Sequence, residues 1–238
     1  MISPEKHAER RRKLADSMDG DYCIVVQASS TKPATADGSL PYAPSRNLYY
    51  LTGITQEGTT LVMWRLKGRD PMECLYISPY DEEFAKWFGT VLTREEATSI
   101  SGITDIRFSG GESRFFDKLV SRERLQSFYF DWHNCGTDGA PGKRLIFVNR
   151  FRRAYPGLKV GSIADRIFQL RMTKDEDEIR VMKQAIELTR TGFEAAARKL
   201  APGMNEAEFE AEMLYQWARA GEKVPAFPAI VAGGSRAT

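Results

Sequence analysis

Two histidines, three cysteines, a run of carboxylates and a few loop serines are the side chains of this 238-residue chain that could do chemistry. His133 stands in Asp131-Trp132-His133-Asn134-Cys135. That cluster offers two chemistries, a zinc site or a cysteine nucleophile beside a histidine base. The spacing fits no closed zinc site, because adjacent residues of an extended strand point to opposite faces. The simpler reading is an ordinary junction between strand and loop. His7 lies among Lys6, Glu9 and Arg10 and reads as part of a solvated helix face. Asp175, Glu176, Asp177 and Glu178 read as a helix start, where acids favour the positive end of the helix dipole. Ser29, Ser30 and Ser235 have no general base in a recognisable pattern. Gly233-Gly234-Ser235 lacks the following helix that a phosphate loop needs.

The elements that would position these groups fall into two parts. Residues 4–18 read as a helix, with Pro4 in the first turn and Ala8, Leu14, Ala15 and Met18 at helical spacing. Strand composition marks 22–28, 47–53, 59–64 and 73–79, separated by a Ser/Pro/Gly/Thr loop at 29–45. Helices are expected at 81–88, 93–100, 113–125, 143–153 and 163–170, with strands near 103–108 and 127–132. Residues 133–143 read as loop. Alternation of strands and helices predicts an α/β domain over residues 1–165. From residue 166 the character changes. One long amphipathic helix carries Ile179, Met182, Ile186, Phe193 and Leu200 on one stripe, and Pro202-Gly203 stops it. A second helix begins at Asn205 with Glu208 in capping-box spacing and carries Phe209, Met213 and Trp217. Pro225 and Pro228 then lead into Ala229-Ile230-Val231-Ala232, which has strand composition, and Gly233-Gly234 signals a turn. A return strand is expected after that turn, so the segment reads as leading into further structure.

Composition narrows the function classes. Lys and Arg number 34 against 32 acids, a formal charge of +2 that gives no overall field for nucleic acid or an anionic membrane. Apolar residues make up 42% of the chain, yet no run approaches the ~20 residues of a membrane span. The charged N-terminus has no apolar signal-peptide core. Cys23, Cys74 and Cys135 are widely spaced without a CxxC pair, and read as reduced thiols of a cytoplasmic protein.

Several motifs, in order, resemble the Xaa-Pro aminopeptidase (aminopeptidase P), prolidase and creatinase family. "LPYAPSRNLYYLTGI" resembles the stretch preceding the "YYLTG" strand in the N-terminal domain of aminopeptidase P and prolidase. "KWFGTVLTREEA" resembles that domain's W-x-G-x-R motif followed by an acid and Ala. Arg171, Lys174, Glu178, Ile179, Ala185, Thr189, "PGMNEAEFEA", Gly221 and "FPAIVAGGSRAT" resemble the start of the "pita-bread" catalytic domain. The resemblance implies a creatinase/prolidase-like α/β domain at 1–165, a mixed sheet flanked by helices. Residues 166–238 would be the start of an incomplete pita-bread domain, two helices and one strand.

It also implies chemistry. The family uses two divalent metals, commonly manganese, about 3.5–4 Å apart, which activate a shared water. Their ligands, two Asp, one His and two Glu, come from pita-bread strands after a histidine-tyrosine pair expected just past residue 238. The expectation is therefore that this chain alone holds no metal ligand and no catalytic residue. Trp87 aligns with a tryptophan that reaches toward the family's active site and helps shape its proline pocket. Position 91 is Val where the motif carries Arg. The structural alternative for Trp87 is a helix-face aromatic packed on the sheet. The apolar stripes at 175–200 and 205–220 need a cover, and the family's N-terminal domain often builds oligomers. A homo-oligomer is expected, through that domain or those helices.

Overall fold

The computed structural model describes residues 2–36, 38–132, 142–222 and 224–237, with only the backbone described at 84, 88 and 236. They form two compact units, Ile2–Thr173 and Lys174–Thr238. The division lies eight residues beyond the expected boundary. The helix before it packs on the first unit, where Ile167 joins the core and the Leu170 carbonyl accepts a hydrogen bond from the Tyr50 hydroxyl.

The first unit is built on a six-stranded sheet. In chain order its elements are α1 (Pro4–Asp16), β1 (Tyr22–Gln27), α2 (Arg46–Thr52), β2 (Thr60–Arg65), β3 (Met72–Ile77), α3 (Glu82–Phe88), α4 (Arg94–Ser101), β4 (Ile106–Phe108), α5 (Glu112–Ser121), β5 (Ser127–Phe130), α6 (Lys143–Ala154), β6 (Lys159–Ser162) and α7 (Ala164–Met172). The strand order is β4-β3-β2-β1-β5-β6. β2 runs antiparallel to both neighbours, and every other pairing is parallel. A mixed sheet with helices on both faces is thus what the alternating sequence forms. β1 is central, and its alternating side chains feed two cores. Tyr22, Ile24 and Val26 face α1, α2, α4 and α7, while Cys23 and Val25 face α5 and α6.

Residues 47–53 correct the sequence reading. They are the helix α2, not a strand. The Ser45 hydroxyl accepts from the Leu48 amide, and Gly53 closes the helix in the left-handed region at φ 74°. Aromatic and Thr content favoured a strand, but the two caps and the burial of Leu48 and Leu51 prevail. Ala229–Ala232 is also not a strand, since a strand needs a hydrogen-bonded neighbour and none flanks it among the described residues. Residues 234–236 form a short 3₁₀ turn.

The first helix differs from expectation in a second way. Its inner face carries charge as well as apolar groups. His7 is buried, not solvated, and its Nδ1 donates to the Tyr50 carbonyl at 3.0 Å. Arg11 is 1% exposed. Its Nε and Nη2 form a two-pronged pair with Glu73 at 2.8 and 2.9 Å. Its Nη1 donates to the carbonyls of Leu51 and Ser101 at 2.8 and 2.9 Å. One guanidinium therefore ties α1 to α2, β3 and α4, a geometry its planar fork suits.

The second unit is a helical hairpin, α8 (Glu176–Lys199) and α9 (Glu206–Arg219). Capping boxes start both, Asp175 with Glu178 and Asn205 with Glu208. The helices approach closely at Gly192, where any side chain would collide with the Trp217 indole. That indole donates to the Leu188 carbonyl at 3.1 Å.

Candidate functional site

Two places in the described structure concentrate chemistry. The first lies where β1 and β5 end side by side. After β1 the chain passes to α2 on one face of the sheet, and after β5 to α6 on the other. Such a divergence opens a crevice at the carboxyl ends of the strands. Here it is filled by Asp131, whose side chain is fully buried. Asn47 Nδ2 donates to one carboxylate oxygen at 2.8 Å, and Arg144 Nη1 donates to the other at 3.0 Å. Arg144 Nη2 also donates to the Gln27 carbonyl at 2.7 Å. Arg171 Nη1 donates to Asn47 Oδ1 at 2.6 Å. The chain Arg144–Asp131–Asn47–Arg171 joins β5 to α6, α2 and α7. Tyr42 belongs to the same surroundings. Burial raises its pKa, Glu57 adds to the rise, and Arg144 opposes it.

The sequence grouped Asp131 with His133, Asn134 and Cys135, which lie outside the described residues. Among the described residues, no group of three or more His, Cys, Asp or Glu is arranged to hold a metal ion. Asp131 itself is unsuited to one, because both its oxygens are committed to donors and one donor is already a cation. The described residues of this crevice therefore do not fit the family's metals. Cys23 and Cys74 are buried free thiols. Burial pushes both up, Cys74 to about 12, which leaves them unreactive.

Trp87 sits on α3 and is 84% exposed. The packing on the sheet weighed as its alternative is not made. The acids 175–178 divide their work: Asp175 and Glu178 complete the capping box, and Asp177 pairs with Arg180 at 2.9 Å.

The second place is an open apolar groove of about 990 Å³ within the helical hairpin unit. Phe193 of α8 and Phe209 of α9 meet edge-on at 6.0 Å along it, and residues 224–233 form its third wall. The Gly233 amide donates to Glu206 at 2.8 Å, which anchors that wall to the start of α9. Among the described residues of α8 only Gly192 and Ala196 are buried, and none of α9 is. Ile186 is 65% exposed and Phe193 55%. The stripes expected from helical spacing are present; that of α8 is largely exposed, whereas Phe209, Met213 and Trp217 of α9 are half-buried. Gly192 was missed by sequence reasoning, although a glycine inside a long helical pattern signals a close approach.

Comparison with known proteins agrees with this division. Residues 7–128 match the family described as aminopeptidase P, N-terminal domain, and residues 180–238 match metallopeptidase family M24. The Xaa-Pro aminopeptidase of Escherichia coli K12 is 23% identical over 98% of this chain and 53% of its own length. Intermediate cleaving peptidase 55 of Saccharomyces cerevisiae is 21% identical over 98% of this chain and 47% of its own. A solved structure from Bacillus anthracis, provisionally assigned as an aminopeptidase P, superposes with a TM-score of 0.88 at 26% identity, covering 92% of this chain and 52% of that one. Aminopeptidase P from E. coli in its low-pH form superposes at 0.79 with 21% identity, over 95% of this chain and 52% of that one. The chain spans about half the length of the curated relatives it matches.

Proposed function

On the premise that this chain belongs to the family described as aminopeptidase P, N-terminal domain, we propose that it is an Xaa-Pro aminopeptidase-like scaffold. Its ancestral reaction removes an N-terminal residue that precedes proline. These 238 residues alone do not perform it. One observation carries this reading. The N-terminal match falls on a unit with two buried cores, whereas the M24 match falls on a helical hairpin whose longer helix exposes its apolar stripe. The M24 match implies a divalent metal in full-length members of that family. Manganese is the metal we propose for the relatives. Trp87, with its exposed indole, is the one side chain of this chain we propose to face a substrate. The half-length span supports a second reading, in which the same residues serve as the amino-terminal half of an active enzyme.

Among the described residues no helix is long and apolar enough to cross a membrane. A cytoplasmic site of action is part of the proposal, as is self-association through the N-terminal unit or through α8 and α9. Ile179, Met182, Ile186 and Phe193 are all exposed, and a second copy would remove them from water.

The test is manganese-dependent hydrolysis of an Xaa-Pro dipeptide by the purified 238-residue chain, with a chelator control and two independent preparations. No turnover is expected. Chelator-sensitive turnover that tracks the protein through both preparations would refute the scaffold reading. Light scattering across concentrations checks association separately. The mass is expected to rise with concentration, and the Ile186→Asp/Phe193→Asp variant is expected to stay monomeric. A wild-type chain that remains a monodisperse monomer would sink the association claim.

A further inference from the structure

The charge of the first unit is unevenly placed. α5 ends at Ser121 and α6 at Ala154, while β5 begins at Ser127 and β6 at Lys159. β5 and β6 are parallel, with Ser127 opposite Lys159 and the Lys159 amide on the Gln126 carbonyl. Residues 117–126 and 150–159 therefore share the amino end of these strands. The Tyr155 hydroxyl bonds the Asp117 carboxylate there and ties the two segments together. Lys118, Arg122 and Arg124 come from the first segment. Arg150, Arg152, Arg153 and Lys159 come from the second, and all seven side chains are exposed. Within these two segments only Asp117, already engaged, and Glu123 oppose them, while Asp19 and Asp21 lead into the neighbouring β1. The excess within the two segments is five positive charges in a chain whose net charge is +2.

Two helix C-termini account for part of this, since cations there offset the dipole. They do not account for Arg124 or Lys159, which lie outside both helices. Among the described residues none of the seven makes an ion pair within the chain.

We propose that this rim is a docking surface for an acidic peptide segment, rich in Glu and Asp. Five of the seven cations are arginines, whose planar forks match carboxylates two bonds at a time. The surroundings disfavour the other polyanions. Among the described residues no aromatic face is open between the cations to stack a base. The Trp132 ring lies under Arg152 at 5.3 Å, Phe151 is buried, and Tyr155 is half-buried with its hydroxyl engaged. Nor, among the described residues, does a large exposed apolar residue stand at this end to enter a bilayer. Ile146, the exposed apolar residue of α6, lies in that helix's first half.

The experiment is fluorescence anisotropy of a labelled oligoglutamate with the full chain. Binding is expected at low salt, weakening about tenfold or more between roughly 50 and 200 mM as screening shortens the range of the field. Arg150→Glu/Arg153→Glu is expected to lose binding with only a small fall in melting temperature, because both side chains are exposed and the stability change is confined to the dipole at the end of α6. Lys32→Glu/Arg46→Glu makes the same charge change at the opposite end of the sheet and is expected to retain binding. Absence of binding at low salt, or equal loss in both variants, would overturn the proposal. Tighter binding of a DNA duplex or of anionic vesicles than of the oligoglutamate would overturn the assignment to an acidic peptide.

Discussion

Replacing Arg11 by alanine is expected to destabilise the first unit by about 3–5 kcal/mol, the range for breaking one side of a buried ion pair. The loss has three sources. Glu73 loses both prongs of its partner. The carbonyls of Leu51 and Ser101 lose their shared donor. A cavity opens where α1, α2, β3 and α4 converge. Glu73 softens the blow, since its side chain is 33% exposed and water can reach it. Total stability of a domain is only about 5–15 kcal/mol, so this variant approaches unfolding. Urea denaturation followed by circular dichroism measures the effect. The midpoint is expected to fall with an unchanged slope. Arg11→Met fills much of the volume without the hydrogen bonds and is expected to cost less than Arg11→Ala. A loss below about 1 kcal/mol in Arg11→Ala would mean the pair behaves like an exposed one and does not organise the core.

Arg11 also shows why part of this fold was hidden in its sequence. The first helix was legible, because Pro4 and the spacing of Leu14, Ala15 and Met18 mark it. Its inner face was not. His7, Arg10 and Arg11 share the stripe of Leu14, but charged residues on a helix normally signal solvent. They are buried because carbonyls of α2 and α4 and the Glu73 carboxylate receive their donors, and those acceptors lie 40 or more residues away. The strands β1, β2, β3 and β5 were legible from β-branched and aromatic runs. β6 was not, since Lys159-Val160-Gly161-Ser162 has little strand character of its own. It exists because β5 offers it a parallel edge. Residues 47–53 failed in the opposite direction, where local composition spoke for a strand and the caps Ser45 and Gly53 decided for a helix. The apolar stripes of α8 and α9 were fully legible, because a period of 3.6 survives even where, as along α8, much of it is exposed. The partners of Asp131 were out of reach, for Asn47 and Arg144 approach it only once β1 and β5 lie side by side.

That cluster gives the second large effect. Asp131→Ala is expected to cost about 3–5 kcal/mol, because it leaves the Asn47 amide and one arm of Arg144 without their acceptor in a buried crevice. Asp131→Asn keeps the shape but turns a donor toward one of two donors, and is expected to cost about 1–3 kcal/mol. The decisive comparison is the pair. If Asp131 serves to hold Arg144, then Arg144→Ala relieves part of the damage, and Asp131→Ala/Arg144→Ala costs less than the two single losses together. A coupling of about 1–3 kcal/mol is expected for groups in direct contact. Hydrogen exchange should show the loss where the network reaches, at the amides that begin α2 and α6, while the amides of β2 and β3 keep their protection. Strict additivity would mean the two residues stabilise the fold independently. The same variants separate scaffold from site. Asp131 has both oxygens engaged by the protein, so Asp131→Ala is expected to leave zinc or manganese stoichiometry unchanged while it lowers stability. A variant that lost bound metal yet kept its unfolding midpoint would instead make Asp131 a ligand, and the crevice between β1 and β5 a metal centre.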